Sequence, residues 1–421
     1  MLGFSIAFAM CMSLLCAHPF ATYPLSLWWL ARRRGFGGAQ AAASAAGAPV
    51  AWPDVAICMC AYNEERVIAA KMDSLLAMAA DYPGRVSIHV YVDGIGDGTA
   101  RIVEGYAGVA DLVIGPERRG KSWGMAQLVD RSDAELLLFT DANVMAGADS
   151  LTRLAAPFAD PRVGLASARL RYSNRDESPT SRSGAVYWEV EEAIKRLESA
   201  TIGLVGVDGA MFAVRRATYC PPPPHLIDDL YVSLGVLLVG ARILSVEGVT
   251  VFERSAARAE EEFARKKRIA CQAWNVHRAL WPQLRRMPAW QLYGYLSHRV
   301  LKWWLPVVVV LAALGWLGVA VQLAGPGPAM LAALAGAALL ALASAAGVHA
   351  ASLIVTTLYS LAGVGVGLGE SIALRRTYTV WAPAESVRGE RAPRVGAHPV
   401  APVLTGLTHP TPHIERTGAD A

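Results

Sequence analysis

Short apolar runs alternate with helix-like stretches in the first half of the chain, beginning at Asp54. Five runs have the length and composition of buried strands: residues 55–60, 86–92, 112–114, 136–140 and 163–168. Four stretches between them have the spacing of helices: residues 65–78, 99–106, 122–130 and 149–158. This alternation predicts an α/β domain with a mostly parallel sheet and right-handed crossovers. Ligands of such sheets bind at the carboxyl ends of the strands, so the polar residues that follow the strands are candidates for function.

The N-terminal stretch, residues 1–31, is apolar and carries no charged side chain. It ends in Trp28 and Trp29 and is followed by a run of three arginines from Arg32. A transmembrane helix needs about 20 apolar residues, and basic residues favour the cytosolic side. We therefore predict a transmembrane anchor whose N-terminus faces out and whose next domain is cytosolic. A cleaved signal peptide is the alternative, but the stretch has no basic start and continues past Pro24.

The C-terminal part is predicted to return to the membrane. Residues 281–304 mix tryptophan, tyrosine and basic residues with apolar ones, which is typical of a helix at a membrane surface. About three transmembrane helices follow within residues 305–370, and residues 371–421 form a polar, proline-rich tail that is expected to be partly disordered. Three spans would place the tail outside, whereas its arginines favour the cytosol, so its side stays open. Residues 32–53 are predicted to be a linker, and residues 54–280 the catalytic domain.

Composition agrees with a membrane protein, and we expect a multi-pass protein of the cell (inner) membrane. Of the 421 residues, 54% are hydrophobic and 18% charged, which is too apolar for an ordinary soluble protein. The net charge of +4 gives no case for nucleic acid as a partner. The six cysteines lack metal-ligand spacing, and Cys58 and Cys60 are interpreted as reduced thiols on one face of a strand. Reduced thiols fit a cytosolic domain.

A helix is also predicted over residues 184–199. Its charges include pairs four residues apart, Glu191 with Lys195 and Glu192 with Arg196, in the orientation that stabilises helices. We expect these side chains to form a solvated face without a chemical role.

Polar residues follow the first two predicted strands. Asn63 and Glu64 come after the first strand and would open the next helix, where capping alone could explain them. The segment from Asp93 to Thr99 follows the second strand, and its glycines let the backbone turn sharply and approach a ligand. A plain turn with a helix cap at Asp97 is the alternative. The GxGxxG spacing of dinucleotide-binding proteins is absent there.

The segment from Gly115 to Ser122 matches the phosphate-binding pattern GxxxxGK[ST] and lies between a strand and a helix. The strand that leads to Asp141 resembles the companion strand of that motif. A P-loop wraps phosphate with backbone amides, however, and three bulky charged residues of this loop suit that role poorly. A membrane-bound P-loop NTPase is the alternative to the function developed below.

Two further clusters could carry chemistry. Asp141 and Asn143 stand two residues apart at a strand end, where their oxygens could share one Mg²⁺ or Mn²⁺ ion bound to a diphosphate. Turns favour the same residue types. Asp228 and Asp229 are paired carboxylates before a helical run, and one of them could take a proton from an attacking hydroxyl group. A helix cap is the alternative explanation for that pair.

In this order, the clusters resemble the family 2 glycosyltransferases of the GT-A fold, in particular the membrane-embedded branch related to cellulose, chitin and hyaluronan synthases. The resemblance covers about residues 54–274 and the flanking apolar segments. It rests on six matches: Asp93 to Thr99 with Asp-Gly-Ser-Thr-Asp-Gly-Thr, Arg119 to Lys121 with Arg-x-Gly-Lys, Asp141 to Asn143 with Asp-x-Asp, Gly209 to Arg216 with Gly-Ala-x-x-Ala-x-Arg-Arg, Ile227 to Asp229 with Glu-Asp, and Arg265 to Arg268 with the start of Gln/Arg-x-x-Arg-Trp.

The resemblance implies a Rossmann-like GT-A domain and a role for each cluster. The roles of donor binding fall to Asn63, Glu64, Asp93, Lys121, Arg265 and Arg268, with Asp93 at the base and the two arginines at the diphosphate leaving group. Asp141 and Asn143 would position Mg²⁺ or Mn²⁺, and Asp229, beside Asp228, would be the general base. The implied reaction is inverting transfer of a sugar from a nucleotide-sugar, most commonly a UDP-sugar, to a lipid or glycan acceptor at the bilayer.

Two positions depart from the family pattern. Asn143 replaces the second aspartate of Asp-x-Asp, so the metal site carries one charge fewer and is expected to bind its cation more weakly. Ile269 replaces the tryptophan that lies at the acceptor in the family. The second departure leaves open a transferase that adds one or a few sugars rather than a long polymer.

Overall fold

A computed structural model describes residues 1–34, 51–380 and 384–388 of the chain. Most of the predicted linker at residues 32–53 and most of the predicted tail at residues 371–421 lie outside the described residues.

The centre of the molecule is a seven-stranded sheet. Its strands are β1 (Val55–Ala61), β2 (Val86–Val92), β3 (Asp111–Ile114), β4 (Leu136–Asp141), β5 (Val163–Tyr172), β6 (Met211–Arg215) and β7 (Arg242–Glu253). They are ordered β3-β2-β1-β4-β6-β5-β7. Four pairings are parallel, and only β6 runs antiparallel to its two neighbours, β4 and β5. The predicted α/β class with a mostly parallel sheet is therefore confirmed.

The α-helices follow the predicted alternation with the strands. They are α1 (Leu2–Ala17), α2 (Thr22–Arg34), α3 (Ile68–Asp81), α4 (Thr99–Glu104), α5 (Lys121–Val129), α6 (Ser150–Ala155), α7 (Pro179–Thr201), α8 (Asp228–Leu238), α9 (Ala259–Leu284), α10 (Ala289–Gly294), α11 (Leu301–Ala324), α12 (Pro326–Ala345) and α13 (His349–Ala373). Short 3₁₀ helices cover Ala156–Ala159, Arg216–Thr218 and Glu385–Arg388, and a π-helix covers Tyr295–Val300. Helix α3 starts later than predicted, since Glu64 and its neighbours form a turn first.

Helices cover both faces of the sheet, because the side chains of each strand alternate between two cores. On β1, Ile57 and Met59 pack in one core with α3, while Ala56 and Cys58 pack in the other with α5 and α8. Each fully buried large apolar side chain of this kind stabilises the fold by about 1.5–3 kcal/mol. The two cores hold the sheet rigidly and leave the ends of its strands free to carry a site.

The apolar N-terminal stretch differs from the single anchor predicted over residues 1–31. It forms two helices, α1 and α2, which meet at an angle of 59°. Helix α1 packs along α11, where Gly315 allows close approach to Ala9. Tyr23 of α2 is buried and donates a hydrogen bond to Glu198 of α7 at 2.6 Å. The second helix is therefore attached to the catalytic domain.

The predicted surface helix at residues 281–304 is not one element. Helix α9 ends at Leu284, and Pro288, which has no amide hydrogen to donate, precedes the start of α10. The chain from Ala289 then continues through the π-helix into α11 as one helical unit that ends at Ala324. The aromatic residues of the predicted surface helix thus belong partly to the domain and partly to the base of a membrane helix.

Within the described residues, three C-terminal helical units are long and apolar enough to cross a membrane: Ala289–Ala324, Pro326–Ala345 and His349–Ala373. The bent pair α1–α2 would make a fourth. The second half of α13 packs closely along α9 of the catalytic domain, where Gly367 lies directly against the backbone of Lys267. The residues that follow α13 stay on the domain, where the carbonyl of Tyr378 accepts a hydrogen bond from Gln272 of α9.

Three of the four charges of α7 that were predicted to form a solvated face are buried, whereas Arg196 is exposed as predicted. Glu191, Glu192 and Lys195 are at most 4% exposed. Glu191 pairs with His298 of the π-helix at 2.8 Å and also with Lys302 of α11. These partners lie more than 100 positions away in sequence, and they join the catalytic domain to the membrane helices through buried ion pairs.

Candidate active site

A cavity of about 1340 Å³ lies at the carboxyl ends of β1, β2 and β4. Nine of the ten predicted site residues line it: Glu64, Asp93, Lys121, Asp141, Asn143, Asp228, Asp229, Arg265 and Arg268. They come from six separate parts of the chain. The structure therefore brings together the clusters whose proximity the sequence only suggested.

Lys121, the first residue of α5, lies at the centre of the cavity. Its Nζ atom is 2.7 Å from Oδ1 of Asp141 and 2.8 Å from Oδ2 of Asp228. Burial alone would lower the pKa of Lys121, but the two carboxylates outweigh it and raise the pKa well above its ordinary value. A permanently charged lysine therefore links the predicted metal residue to the predicted catalytic pair.

Asp229 is the second residue of helix α8, after Asp228, and faces the same cavity. Its Oδ1 accepts a hydrogen bond from the amide of Leu230 at 2.6 Å. Burial, reinforced by the charge of Asp228, raises the pKa of Asp229 from 3.8 to about 7. A side chain at Gly209 would lie 3.3 Å from Oδ2 of Asp229, so the glycine keeps this carboxylate accessible at the cavity wall. A carboxyl group with a pKa near neutrality suits a general base.

The predicted metal residues lie at the end of β4, and the structure adds a carboxylate to them. Nδ2 of Asn143 donates a hydrogen bond to Oε1 of Glu253 at 3.1 Å. Glu253 ends β7 and lines the cavity, and burial raises its pKa to about 7. The sequence reasoning missed Glu253, although an acidic residue at a strand end is the signal that also identified Asp141.

These oxygens fit a hard divalent cation. Asp141 is partly exposed, and Glu253 is a half-buried carboxyl whose charged form a nearby cation would stabilise. No group of three or more His, Cys, Asp or Glu ligands occurs among the described residues. A cation held here would therefore complete its shell with the oxygens of a diphosphate and water, as Mg²⁺ commonly does.

Two arginines of α9 line the cavity wall as predicted. Arg265 donates hydrogen bonds to the hydroxyl of Tyr172 at 3.1 Å and to Glu262 at 3.3 Å. Burial and the neighbouring charge of Arg265 lower the pKa of Arg268 to about 10, so it still carries its charge at neutral pH. A pair of half-buried guanidinium groups provides positive charge where an anionic leaving group would need it.

The residues that were predicted to bind the nucleotide do not all line the cavity. Asp93 lines the cavity, but its carboxylate also accepts hydrogen bonds from the amides of Arg119 and Gly120 at 2.7 and 3.1 Å. Asn63 adopts a left-handed backbone with a φ of 53° and lies against Gly96, outside the set of residues that line the cavity. Asp93 therefore fixes the loop before Lys121, and Asn63 shapes the turn.

The same hydrogen bonds bear on the P-loop alternative. The amides of Arg119 and Gly120 are directed at Asp93, and the lysine of the pattern is held by carboxylates. A P-loop needs these amides and this lysine for phosphate. Gly120, at a φ of 89°, also lies against the carbonyl of Thr379. The loop is therefore not shaped as an open phosphate nest.

The chain after α13 covers one side of the cavity. The carbonyl of Tyr378 accepts a hydrogen bond from Gln272 at 2.6 Å, and Thr377 donates one to the carbonyl of His225 at 2.6 Å. Arg388 donates to the carbonyl of Tyr62 at 2.6 Å. Tyr378, Val380 and Glu385 line the cavity, so a segment that was predicted as part of a polar tail forms part of the site.

Comparisons with known proteins agree with this geometry. A family model described as glycosyltransferase-like family 2 matches residues 53–272, which is more than half of the chain. An N-acetylglucosaminyltransferase from Rhizobium sp. is 31% identical over 132 residues, which cover 30% of this chain and 29% of that protein. One from Mesorhizobium japonicum is 33% identical over 133 residues, which cover 30% of this chain and 31% of that protein. The matches thus span about a third of these relatives.

The fold has a counterpart among solved structures. The mannosyltransferase PcManGT from Pyrobaculum calidifontis, solved in complex with GDP-Man and Mn²⁺, superimposes with a TM-score of 0.64 at 22% identity. The superposition covers 86% of this chain and 98% of that one, so the GT-A domain and the apolar helices are both matched. The predicted GT-A fold is thereby confirmed. The chain belongs to the glycosyltransferase-like family 2 and is a glycosyltransferase with helices suited to cross a membrane.

Proposed function

We propose that this glycosyltransferase moves a sugar from a nucleotide-sugar, in the first instance a UDP-sugar, to a lipid or polysaccharide acceptor at the membrane, with inversion at the anomeric carbon. The observation that carries this proposal is the bridge made by Lys121 between Asp141 and Asp228, at 2.7 and 2.8 Å. It puts the diphosphate-binding end of the cavity and the carboxylate pair within one side-chain length of each other.

Asp229 is assigned the role of general base. Its carboxylate takes the proton of the acceptor hydroxyl as that oxygen attacks the anomeric carbon. The new carbon–oxygen bond forms while the bond to the diphosphate breaks, and the electron pair leaves with the diphosphate. Asp228 acts on its neighbour by raising the pKa of Asp229 and by holding Lys121. A single displacement without a protein nucleophile inverts the configuration.

The leaving diphosphate needs positive charge as the bond breaks. Lys121, Arg265 and Arg268 line the cavity and would supply it. Asp141, with Asn143 and its partner Glu253, would hold Mg²⁺ or Mn²⁺ on the diphosphate. When bound, that cation supplies charge compensation for the leaving group. Lys121 would then release Asp141 to the cation and turn toward the phosphates.

The relatives suggest which donor to test first. Because the relatives are named N-acetylglucosaminyltransferases, a donor of N-acetylglucosamine is the first candidate. GDP-mannose is the second candidate, because PcManGT was solved in complex with GDP-Man. The catalytic domain is proposed to face the cytosol of a bacterial inner membrane, on the side where nucleotide-sugars are made.

A donor screen on the full-length protein in detergent tests this proposal. UDP-N-acetylglucosamine, UDP-glucose, GDP-mannose and ATP are each incubated with Mn²⁺ or Mg²⁺, and released nucleoside diphosphate is measured. We expect release from one nucleotide-sugar that stops when EDTA is added. Release from ATP alone, lost in Lys121→Ala, would favour the P-loop NTPase instead.

A further inference from the structure

The cavity is larger than a nucleotide-sugar site requires. Pockets for single ligands are typically about 300–1,000 Å³, and this one measures about 1340 Å³. Beyond the donor residues it continues between α7 and the membrane helices α11 and α13, where Lys302, Leu353 and Thr357 line it. Leu353 is exposed and belongs to a helix apolar enough to cross a membrane. The cavity therefore runs from Asp229 to a surface that suits a bilayer.

In the part of the cavity beyond the donor residues, two lysines lie near one aromatic ring. Nζ of Lys266 lies 4.7 Å from the ring of Tyr187 on α7, and Nζ of Lys302 lies 5.5 Å from the same ring. All three residues line the cavity. Burial lowers the pKa of Lys266, which shows that its charge is incompletely compensated by its surroundings.

Carboxylates are shared in this region. Two glutamates each form ion pairs with two cationic side chains. Glu262 pairs with Arg265 at 3.3 Å and with Lys266 at 3.5 Å. Glu191 pairs with Lys302 and, at 3.8 Å, with Arg299. His298 also contacts Glu191 at 2.8 Å. Lys266 and Lys302 each share a carboxylate with an arginine, so an anionic group between the two lysines would be stabilised in this partly dehydrated cavity.

An apolar groove continues from this charged region. A second cavity of about 310 Å³ lies between α2 and α7, and it shares Phe20, Val186 and Val190 with the large one. The rest of its lining is mostly apolar, with Pro24, Ala193, Ile194 and Leu197. Its one carboxylate, Glu189, is paired with Arg175 at 2.6 Å. Phe20 and Val190 are each 38% exposed, so the groove is open at the side.

We propose that the acceptor is a bilayer lipid whose headgroup carries both a phosphate and a free hydroxyl. This inference rests on the proposed function. The hydroxyl reaches Asp229, the phosphate lies between Lys266 and Lys302, and the hydrocarbon chain follows the groove past Val190. The hydroxyl oxygen bonds to the anomeric carbon, its proton passes to Asp229, and the nucleoside diphosphate leaves with the electron pair of the broken bond.

The test compares acceptors with the full-length protein in mixed micelles. The donor is the nucleotide-sugar found by the screen, and the acceptors are phosphatidylglycerol, a polyprenyl-diphosphate-linked sugar, diacylglycerol and a soluble N-acetylglucosamine oligosaccharide. Phosphatidylglycerol and diacylglycerol present hydroxyl groups on similar tails, but only the first carries phosphate. We expect transfer to at least one of the two phosphate lipids to exceed transfer to diacylglycerol and to the oligosaccharide at least tenfold. The phosphate lipid that accepts the sugar shows whether the acceptor is a phospholipid or a polyprenyl-diphosphate-linked sugar.

Variants separate this inference from the proposed function. Val190→Glu places a charge in the groove, and Val109→Glu makes the same change at a valine that is 56% exposed and does not line the cavity. Lys266→Met removes one lysine beside Tyr187. We expect the ratio of lipid transfer to donor hydrolysis to fall at least tenfold in Val190→Glu and Lys266→Met and to stay within twofold of wild type in Val109→Glu.

Each outcome decides the question. Equal or better transfer to the oligosaccharide than to the lipids, or an unchanged ratio in Val190→Glu and Lys266→Met, would overturn the lipid acceptor and leave the glycosyltransferase proposal standing. A wild-type protein that releases nucleoside diphosphate from no nucleotide-sugar, with or without these acceptors, would refute the proposed function and this inference with it.

Discussion

The carboxyl group of Asp229 is expected to govern the pH dependence of transfer. Its pKa is raised to about 7 by burial and by Asp228, while Lys121 and the amide of Leu230 act in the opposite direction. The negative charge of Asp208 adds to the rise. A base works only in its ionised form, so activity is present above pH 7 and is lost as the pH falls through this pKa.

The size of the effect follows from the pKa. A group with a pKa of about 7 is about 1% ionised at pH 5, so kcat/KM there should be about 100-fold below its plateau. Asp228→Asn keeps the shape of the side chain but removes the neighbouring negative charge. The pKa of Asp229 should then fall, and the acidic limb of the profile should move to lower pH by about one unit.

The assay is the initial rate of transfer between pH 5 and 9 at constant excess Mn²⁺, with circular dichroism at each pH to show that the protein stays folded. Wild type and Asp228→Asn are compared at the same protein and donor concentrations. A wild-type rate that stays flat down to pH 5, or a limb that moves upward in Asp228→Asn, would refute the assignment of the base.

Two further predictions concern the cation site. Lys121→Met leaves Asp141 and Asp228 without their shared cation and should destabilise the protein by about 3 kcal/mol. In differential scanning fluorimetry, Mn²⁺ should then raise the melting temperature of the variant more than that of wild type. An equal rise in both proteins would argue against metal at Asp141. Asn143→Asp should bind Mn²⁺ about tenfold more tightly and Glu253→Gln more weakly, as measured by titration calorimetry; no change in either variant would remove this pair from the metal site.

Local patterns predicted the catalytic domain well. Apolar runs of three to seven residues located β1 to β4, and the parallel order of the sheet brought Asp93 and Asp141 to one edge. Strands β6 and β7 were not recognised as strands. In β7, Glu247 and Gly248 interrupt the apolar run, and the pairing with β5 contains register shifts that periodicity does not reveal.

Long-range contacts explain what the sequence could not show. The charges of α7 have the spacing of a solvated helix face, yet Glu191 is buried because His298 and Lys302 reach it from the membrane segment. Glu253 enters the site through its hydrogen bond with Asn143, a contact across 110 positions. Local spacing gives no information about such partners.

At both ends of the chain the structure differs from the prediction for a related reason. Hydropathy identified apolar stretches of sufficient length, but the bend between α1 and α2 and the packing of α13 on α9 depend on the surface of the catalytic domain. The residues after α13 looked like a polar tail because polar side chains dominate there. Their backbone carbonyls, such as that of Tyr378, hold them against the domain.

Asp229→Asn gives the most direct test of the proposed mechanism. The change keeps the size of the side chain but removes the base, so donor affinity should stay within threefold of wild type while transfer falls by about 10²–10⁴-fold. Asp176→Asn, at an aspartate whose side chain is 83% exposed, is the matched control and should transfer normally. Transfer by Asp229→Asn at the rate of the control, with donor binding intact, would contradict the account.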